Sequence, residues 1–243
     1  MKKGKVSENI IKRSVLKIIN ENNRNSAAEG SVCAIFTGYV ADEAGELSAS
    51  HAIMRACNNA AVEGMIPKMV SLSVTMPEHM REIKLKNIMH AAADTAEEIG
   101  IPITDGHTET VAEIKKPIIT ATVVANAKNW KKGVVAPNQK IIMTKWAAMS
   151  GAARIALENR DKLSTRYPEF IINDAIELQQ FYSIIPEAAV ATESGAIYMN
   201  DCSDGGVFAA LWQLADKNGV GLKVNLHDIP IRQESIEVCE YFD

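Results

Sequence analysis

No apolar run in the 243-residue sequence is long enough to span a bilayer. The basic start, Lys2, Lys3 and Lys5, is not followed by the apolar core of a signal peptide. The expectation is a cytoplasmic protein with no membrane partner. Cysteine is scarce. Cys33, Cys57, Cys202 and Cys239 lie far apart and form no CxxC pair, which argues against a structural zinc site and predicts reduced thiols, buried or partly buried. Positive charge is not concentrated either. Beyond the N-terminus and Lys131-Lys132 the basic residues are scattered, and the net charge is −4. A nucleic-acid groove needs a concentrated basic surface, so no nucleic-acid partner is expected. The sequence contains neither GxxxxGK[ST] nor GxGxxG, the two common nucleotide cradles, and neither a GxSxG nucleophile elbow nor an HExxH metal helix. Low-complexity tracts and clear internal repeats are absent as well.

What remains has the composition of an ordinary globular protein, 47% hydrophobic and 23% charged. The length suffices for one large domain or two smaller ones. Patterning predicts a helix over 5–20, a polar connection over 20–30, a short strand over 32–36 and an acidic loop over 41–45 carrying Asp42 and Glu43. An alanine-rich helix packed on a sheet follows over 48–63, ended by Gly64. Residues 68–76 alternate with period two, the mark of a half-buried strand. A long helix from 77–78 to Gly100 would bury Met80, Ile83, Ile88, Met89, Ala92 and Ala96, and 117–124 is a β-branched strand. The polar stretch 128–138 is the best domain boundary, dividing residues 1–135 from 136–243. The second half reads as a strand over 140–144, helices over 150–158, 168–182 and 186–194, strands over 195–199 and 219–226, and a closing helix over 231–242 with Ile236 and Cys239-Glu240 near its inner face. The class is α/β (α+β).

Two polar glycine turns, read as loops at strand ends, each follow an apolar segment. The first is Asp105-Gly106-His107-Thr108-Glu109. The second is Asp201-Cys202-Ser203-Asp204-Gly205-Gly206, which runs into a helix with Val207, Ala210, Leu211 and Leu214 on one face and a stop at Asn218-Gly219. Ser203 or Asp204 would cap that helix. Gly205 and Gly206 would let an anion approach its backbone N–H groups, where the helix dipole favours negative charge. Glu109 and Asp201 offer the hard oxygens that Mg²⁺ prefers. The alternatives stay open: an ordinary capped turn, a surface histidine at His107, solvated acids at Asp42 and Glu109, and inert thiols at Cys57 and Cys202.

Three runs then occur in a telling order. They are the 105–109 run, Met143-Thr144-Lys145-Trp146 with Ser150-Gly151-Ala152-Ala153, and the stretch from Met199-Asn200-Asp201 through Gly219-Val220-Gly221 to Ile229-Pro230-Ile231. Together they resemble the aminoimidazole-ribonucleotide (AIR) synthase superfamily, the PurM-like proteins, and most closely its members similar to the hydrogenase maturation protein that makes a cyanide ligand. The resemblance covers the chain from about residue 31 onward. It implies a two-domain PurM-like fold, a homodimer formed through sheets of the N-terminal domain, ATP and Mg²⁺ as cofactors, and activation of an amide-type oxygen by phosphorylation. The phosphate acceptor would be an unknown small-molecule or protein-bound substrate. Carried over residue by residue, Asp42, Glu109 and Asp201 would surround Mg²⁺. Asn59, Gly106, His107, Thr108, Ser203, Gly205 and Gly206 would help hold the nucleotide. Asp201, His107 and Lys145 would form the catalytic set, Lys145 neutralising developing charge.

Departures from the family pattern point the other way. The run matching the first acidic motif, Gly30-Ser31-Val32-Cys33-Ala34, has no acid; the family's Asn-Asp pair is Asn58-Asn59; and Asp105 replaces a glycine. Asp42 matches the next acid across a short gap. Losing two carboxylates removes much of the charge that would hold Mg²⁺ against a triphosphate. The relatives continue beyond the position of Asp243, so the second domain is expected to be incomplete. The alternative function is a non-catalytic dimeric scaffold or regulatory binding protein.

Overall fold

A computed structural model describes residues 33–41, 45–127, 130 and 132–242. The helix and connection expected over 5–30, and the candidate ligand Asp42, lie outside the described residues.

The first half is a four-stranded mixed sheet with helices on one face. Its strands are β1 (Cys33–Val40), β2 (Met65–Pro77), β3 (Ile103–Val111) and β4 (Ile118–Ala127), ordered β1-β4-β2-β3. β4 pairs antiparallel with both β1 and β2, while β3 runs parallel to β2. Helices α1 (Ser48–Val62) and α2 (Glu82–Ile99) connect the strands. α1 lies on the sheet because its apolar stripe is small: Ala49, Ala52, Ala56 and Ala60 are all fully buried. The sheet answers with Gly38, where an added Cβ would stand only 1.9 Å from the Ala52 carbonyl oxygen. Between them Ile53, Val70, Val74, Ile88, Ile119 and Val123 form the core. Each such side chain fully removed from water contributes about 1.5–3 kcal/mol.

Strand alternation over 69–76 is as the sequence predicts, with Val70, Leu72, Val74 and Met76 inward. The strand is longer, however, and crosses Pro67 at a register irregularity between Pro67 and Met69. α2 starts four residues later than expected, because Pro77 to Met80 closes a turn, Met80 N–H donating to the Pro77 carbonyl at 3.0 Å. Ile83 therefore sits in the exposed first turn, 49% accessible, rather than inside.

The second half is helical: α3 (Met149–Glu158), α4 (Arg160–Leu163), α5 (Glu169–Glu177), α6 (Ile185–Glu193), α7 (Gly206–Asn218) and α8 (Gln233–Tyr241), with a 3₁₀ turn at Leu178–Phe181. Ala152, Ala156, Leu163, Ile172, Ala175 and Val238 make a second small core. The strands expected over 140–144, 195–199 and 219–226 do not form ladders. Near them the described chain pairs at single points: Ala147 N–H to the Pro230 carbonyl at 2.8 Å, and Gly133 N–H to the Ile197 carbonyl at 2.8 Å. A strand is defined by its lateral partner, and these apolar runs leave Ile142 83% exposed instead of packed between a partner and a helix. Similarly, α8 buries Val238, while Cys239 and Glu240 face water. Of the cysteines only Cys57 is buried; Cys33, Cys202 and Cys239 are exposed, contrary to expectation. Among the described residues no helix is long and apolar enough to cross a membrane.

Candidate functional site

The helix-free face of the sheet is lined in rows. One row runs Thr37, Thr122, Ser71, Asp105, and the next Tyr39, Thr120, Ser73, His107; a third holds Ile118, Thr75 and Glu109. The segment 105–109 is thus not a loop. It is the middle of edge strand β3, held in register with β2 after an irregularity at Val70/Ser71 that leaves Thr104 unmatched. Gly106 is required there, since a Cβ would lie 2.4 Å from the Leu72 carbonyl oxygen. The period of two places His107 and Glu109 on the open face and Thr108 on the other, beside Val74. His107 Nε2 is 3.6 Å from Glu109 Oε2, an attraction only when the imidazole is protonated, and Thr75 Oγ1 donates to Glu109 at 3.2 Å.

The second segment is a true turn. Gly206 N–H donates to the Ser203 carbonyl at 2.9 Å, and Gly205 and Gly206 are both left-handed, with φ of 91° and 66°. Gly205, not Ser203 or Asp204, is the N-cap, and no side chain caps α7. Beyond Gly206, the first-turn N–H groups of this 13-residue helix have no side-chain cap and are left for solvent or an anion. A Cβ on Gly206 would meet nothing within 4 Å, so the approach is open. Cys202 lies beside it. Loss of hydration, then the Asp201 charge, pushes its thiol up.

Arg55, which sequence reasoning passed over, links this turn to β1. From α1 its Nη1 donates to the Tyr39 carbonyl at 2.8 Å and stands 3.8 Å from Asp204 Oδ1. A lone cation in an alanine-rich helix was the available signal. Asn59 donates to the Thr37 carbonyl at 3.1 Å, a bond that anchors α1 to β1.

Lys145 is placed elsewhere. Its ammonium donates to the Phe181 carbonyl at 2.9 Å and to the Ser183 carbonyl, and pairs with Glu187 Oε1 at 3.0 Å. All three of its protons are thereby committed. Asn58 grips the same segment, donating to the Tyr182 carbonyl at 2.8 Å and accepting from Ile184 N–H at 3.0 Å. The His51 and Tyr182 rings pack at 4.6 Å, and Trp146 meets Phe181 edge-on at 5.5 Å.

The donors at the α7 turn suit an anion. Open helix N–H groups suit a phosphate, and among the described residues no three of His, Cys, Asp or Glu gather.

Comparison with known proteins agrees with this architecture. The model of the AIR synthase related protein, N-terminal domain, matches residues 21–127, and that of the C-terminal domain of the same family matches 136–242. The carbamoyl dehydratase HypE of Rhizobium leguminosarum bv. viciae is 23% identical over 234 residues, 93% of this chain and 65% of that protein. A hydrogenase maturation protein HypE solved in complex with ATP superposes with a TM-score of 0.72 at 17% identity, over 99% of this chain and 74% of the other. The thiamine monophosphate kinase of Aquifex aeolicus gives a TM-score of 0.69 at 15% identity, over 93% and 79%. The chain spans less than two thirds of the length of the curated relatives it matches. With both family models matched in order along the chain, and with a mixed sheet and flanking helices shared with these structures, the protein belongs to the AIR synthase related, PurM-like family and is similar to its HypE members.

Proposed function

We propose that this chain binds ATP, with its phosphates at the N-terminus of α7, and activates an amide-type oxygen of a small-molecule or protein-bound substrate by phosphoryl transfer. The observation that carries the reading is the uncapped α7 N-terminus behind two left-handed glycines. Their backbone admits an oxyanion close to N–H groups, and the helix dipole adds to the attraction. Ser203 would add a hydroxyl to the same oxygens. Asp201, at the head of the turn, would orient the acceptor, and His107 beside Glu109 would place a further oxygen. The positioning of groups and charge supplies most of the catalysis in such transfers. Support comes from the solved relative named as HypE in complex with ATP, and from the relative named as a carbamoyl dehydratase. Exposed Ile35, Tyr39 and Met69 on the open sheet face support a homodimer formed there.

A second reading, a non-catalytic binding protein of the same fold, is favoured by one specific observation: Asn59 and Lys145 are spent on backbone carbonyls. Calorimetric titration with ATP, with and without Mg²⁺, separates the readings when paired with an assay for ADP release. Heat of binding together with ADP release, the release lost in Asp201→Ala, supports the enzyme. Binding without ADP release supports the second reading, and no heat at millimolar nucleotide rejects both as nucleotide proteins.

A further inference from the structure

The segment 181–187 is held from two sides by residues whose chemistry the site does not use. From α1, the Asn58 carboxamide satisfies the Tyr182 carbonyl and the Ile184 N–H together. From the segment before α3, the Lys145 ammonium takes the carbonyls of Phe181 and Ser183 and the Glu187 carboxylate, with only 15% of the lysine side chain exposed. Tyr182 adds its hydroxyl to the Ser150 carbonyl at 3.0 Å. Lys145 itself sits at φ 60°, a left-handed conformation that a lysine adopts only under constraint. The other Glu187 oxygen, Oε2, is buried with no partner, so removing Lys145 would strand a carboxylate.

This segment leads directly into α6, and only the short stretch 194–200 separates α6 from the Asp201 turn. Asn200 in that stretch donates to the Ala210 carbonyl of α7 at 3.3 Å. Whatever fixes 181–187 against α1 thus limits where the α7 N-terminus can stand relative to the sheet.

We infer that 181–187 is a strap through which Asn58 and Lys145 set the α7 turn against the sheet, so that both are positioning residues for nucleotide binding. The inference rests on the nucleotide reading above and assigns to it two residues that touch no ligand. It also gives the pair Asn58 and Lys145, which lie 87 positions apart in the chain, one shared role. A shift of about 1 Å at a binding turn is enough to cost roughly a hundredfold in a positioned reaction.

The test uses the full chain with two independent changes: Asn58→Ala, and Lys145→Met combined with Glu187→Gln so that no buried charge is stranded. Amide hydrogen exchange and ATP calorimetry are read on each. The expected result is faster exchange at 181–187 and also at 203–208, unchanged exchange in β4, and ATP affinity at least tenfold weaker. Faster exchange confined to 181–187 with unaltered ATP affinity overturns the inference, because the strap would then be a local support only. If the unsubstituted chain binds no ATP, the nucleotide reading falls by itself. The exchange pattern then decides alone: spread to 203–208 upholds the strap, and confinement overturns it.

Discussion

Arg55 and Asp204 stand 3.8 Å apart, which ties the turn before α7 to the end of β1, because the same guanidinium donates to the Tyr39 carbonyl. Both side chains are partly exposed, 34% and 56%, so the pair contributes no more than about 0.2–1 kcal/mol. Its importance is geometric. Arg55→Ala is expected to lower the urea midpoint only slightly, while an Asp204→Asn change leaves the Tyr39 bond and almost all the stability. A large loss of stability in either variant, measured by urea unfolding, would show that the pair carries more than its exposure allows.

Gly38→Ala is expected to be among the most damaging single substitutions. Its Cβ would stand 1.9 Å from the Ala52 carbonyl oxygen and 2.7 Å from the Ala56 nitrogen, both of them backbone atoms that cannot rotate away. Separating α1 from β1 to make room would cost about 3 kcal/mol or more. Denaturant unfolding checks this, and an unchanged midpoint would mean that α1 does not approach the sheet so closely.

Gly206→Ala distinguishes packing from ligand approach. The new methyl would meet nothing within 4 Å, so the stability loss is limited to the left-handed strain at φ 66°, about 1–2 kcal/mol. The methyl nevertheless occupies the approach to the α7 N–H groups. ATP affinity by calorimetry should therefore fall by more than the stability change accounts for. Equal affinity in the variant and the parent would remove the α7 turn from the phosphate site.

Cys57 should resist alkylation in the native protein while Cys33, Cys202 and Cys239 react, since it alone is buried. Intact-mass measurement should count three labels before unfolding and a fourth after. Burial pushes the Cys57 thiol from an ordinary 9.0 up to about 12. The folded value is raised, so this contribution to stability is complete below pH 9 and is lost as pH climbs from about 9 toward 12. Cys57→Ala should lack that part of the alkaline slope. Parallel slopes in urea unfolding between about pH 8 and about pH 10.5 would contradict it.

Much of the first half is legible in the residues. The alternation over 69–76 and the alanine spacing of α1 each specify one face, and a face is what the core selects. The 105–109 segment misled because its side chains are polar throughout. An edge strand open on one face needs no apolar alternation, and only its pairing with β2 reveals it. The apolar runs of the second half misled in the opposite sense. Ile141 and Ile142 have strand-forming side chains, yet a ladder depends on a neighbour that no local pattern encodes.

The glycine turn at 205–206 could be read from the sequence alone, because φ above zero is a local property and glycine is the residue that tolerates it. The resemblance to the AIR synthase family was equally available, because it rests on the order of motifs. Which partners these side chains take was decided only by the tertiary structure. Lys145 turns to Phe181, Ser183 and Glu187, Asn58 to Tyr182 and Ile184, and Arg55 to Asp204. A long polar side chain bonds to whichever partners the fold brings within about 3 Å, and those partners lie far away in the chain.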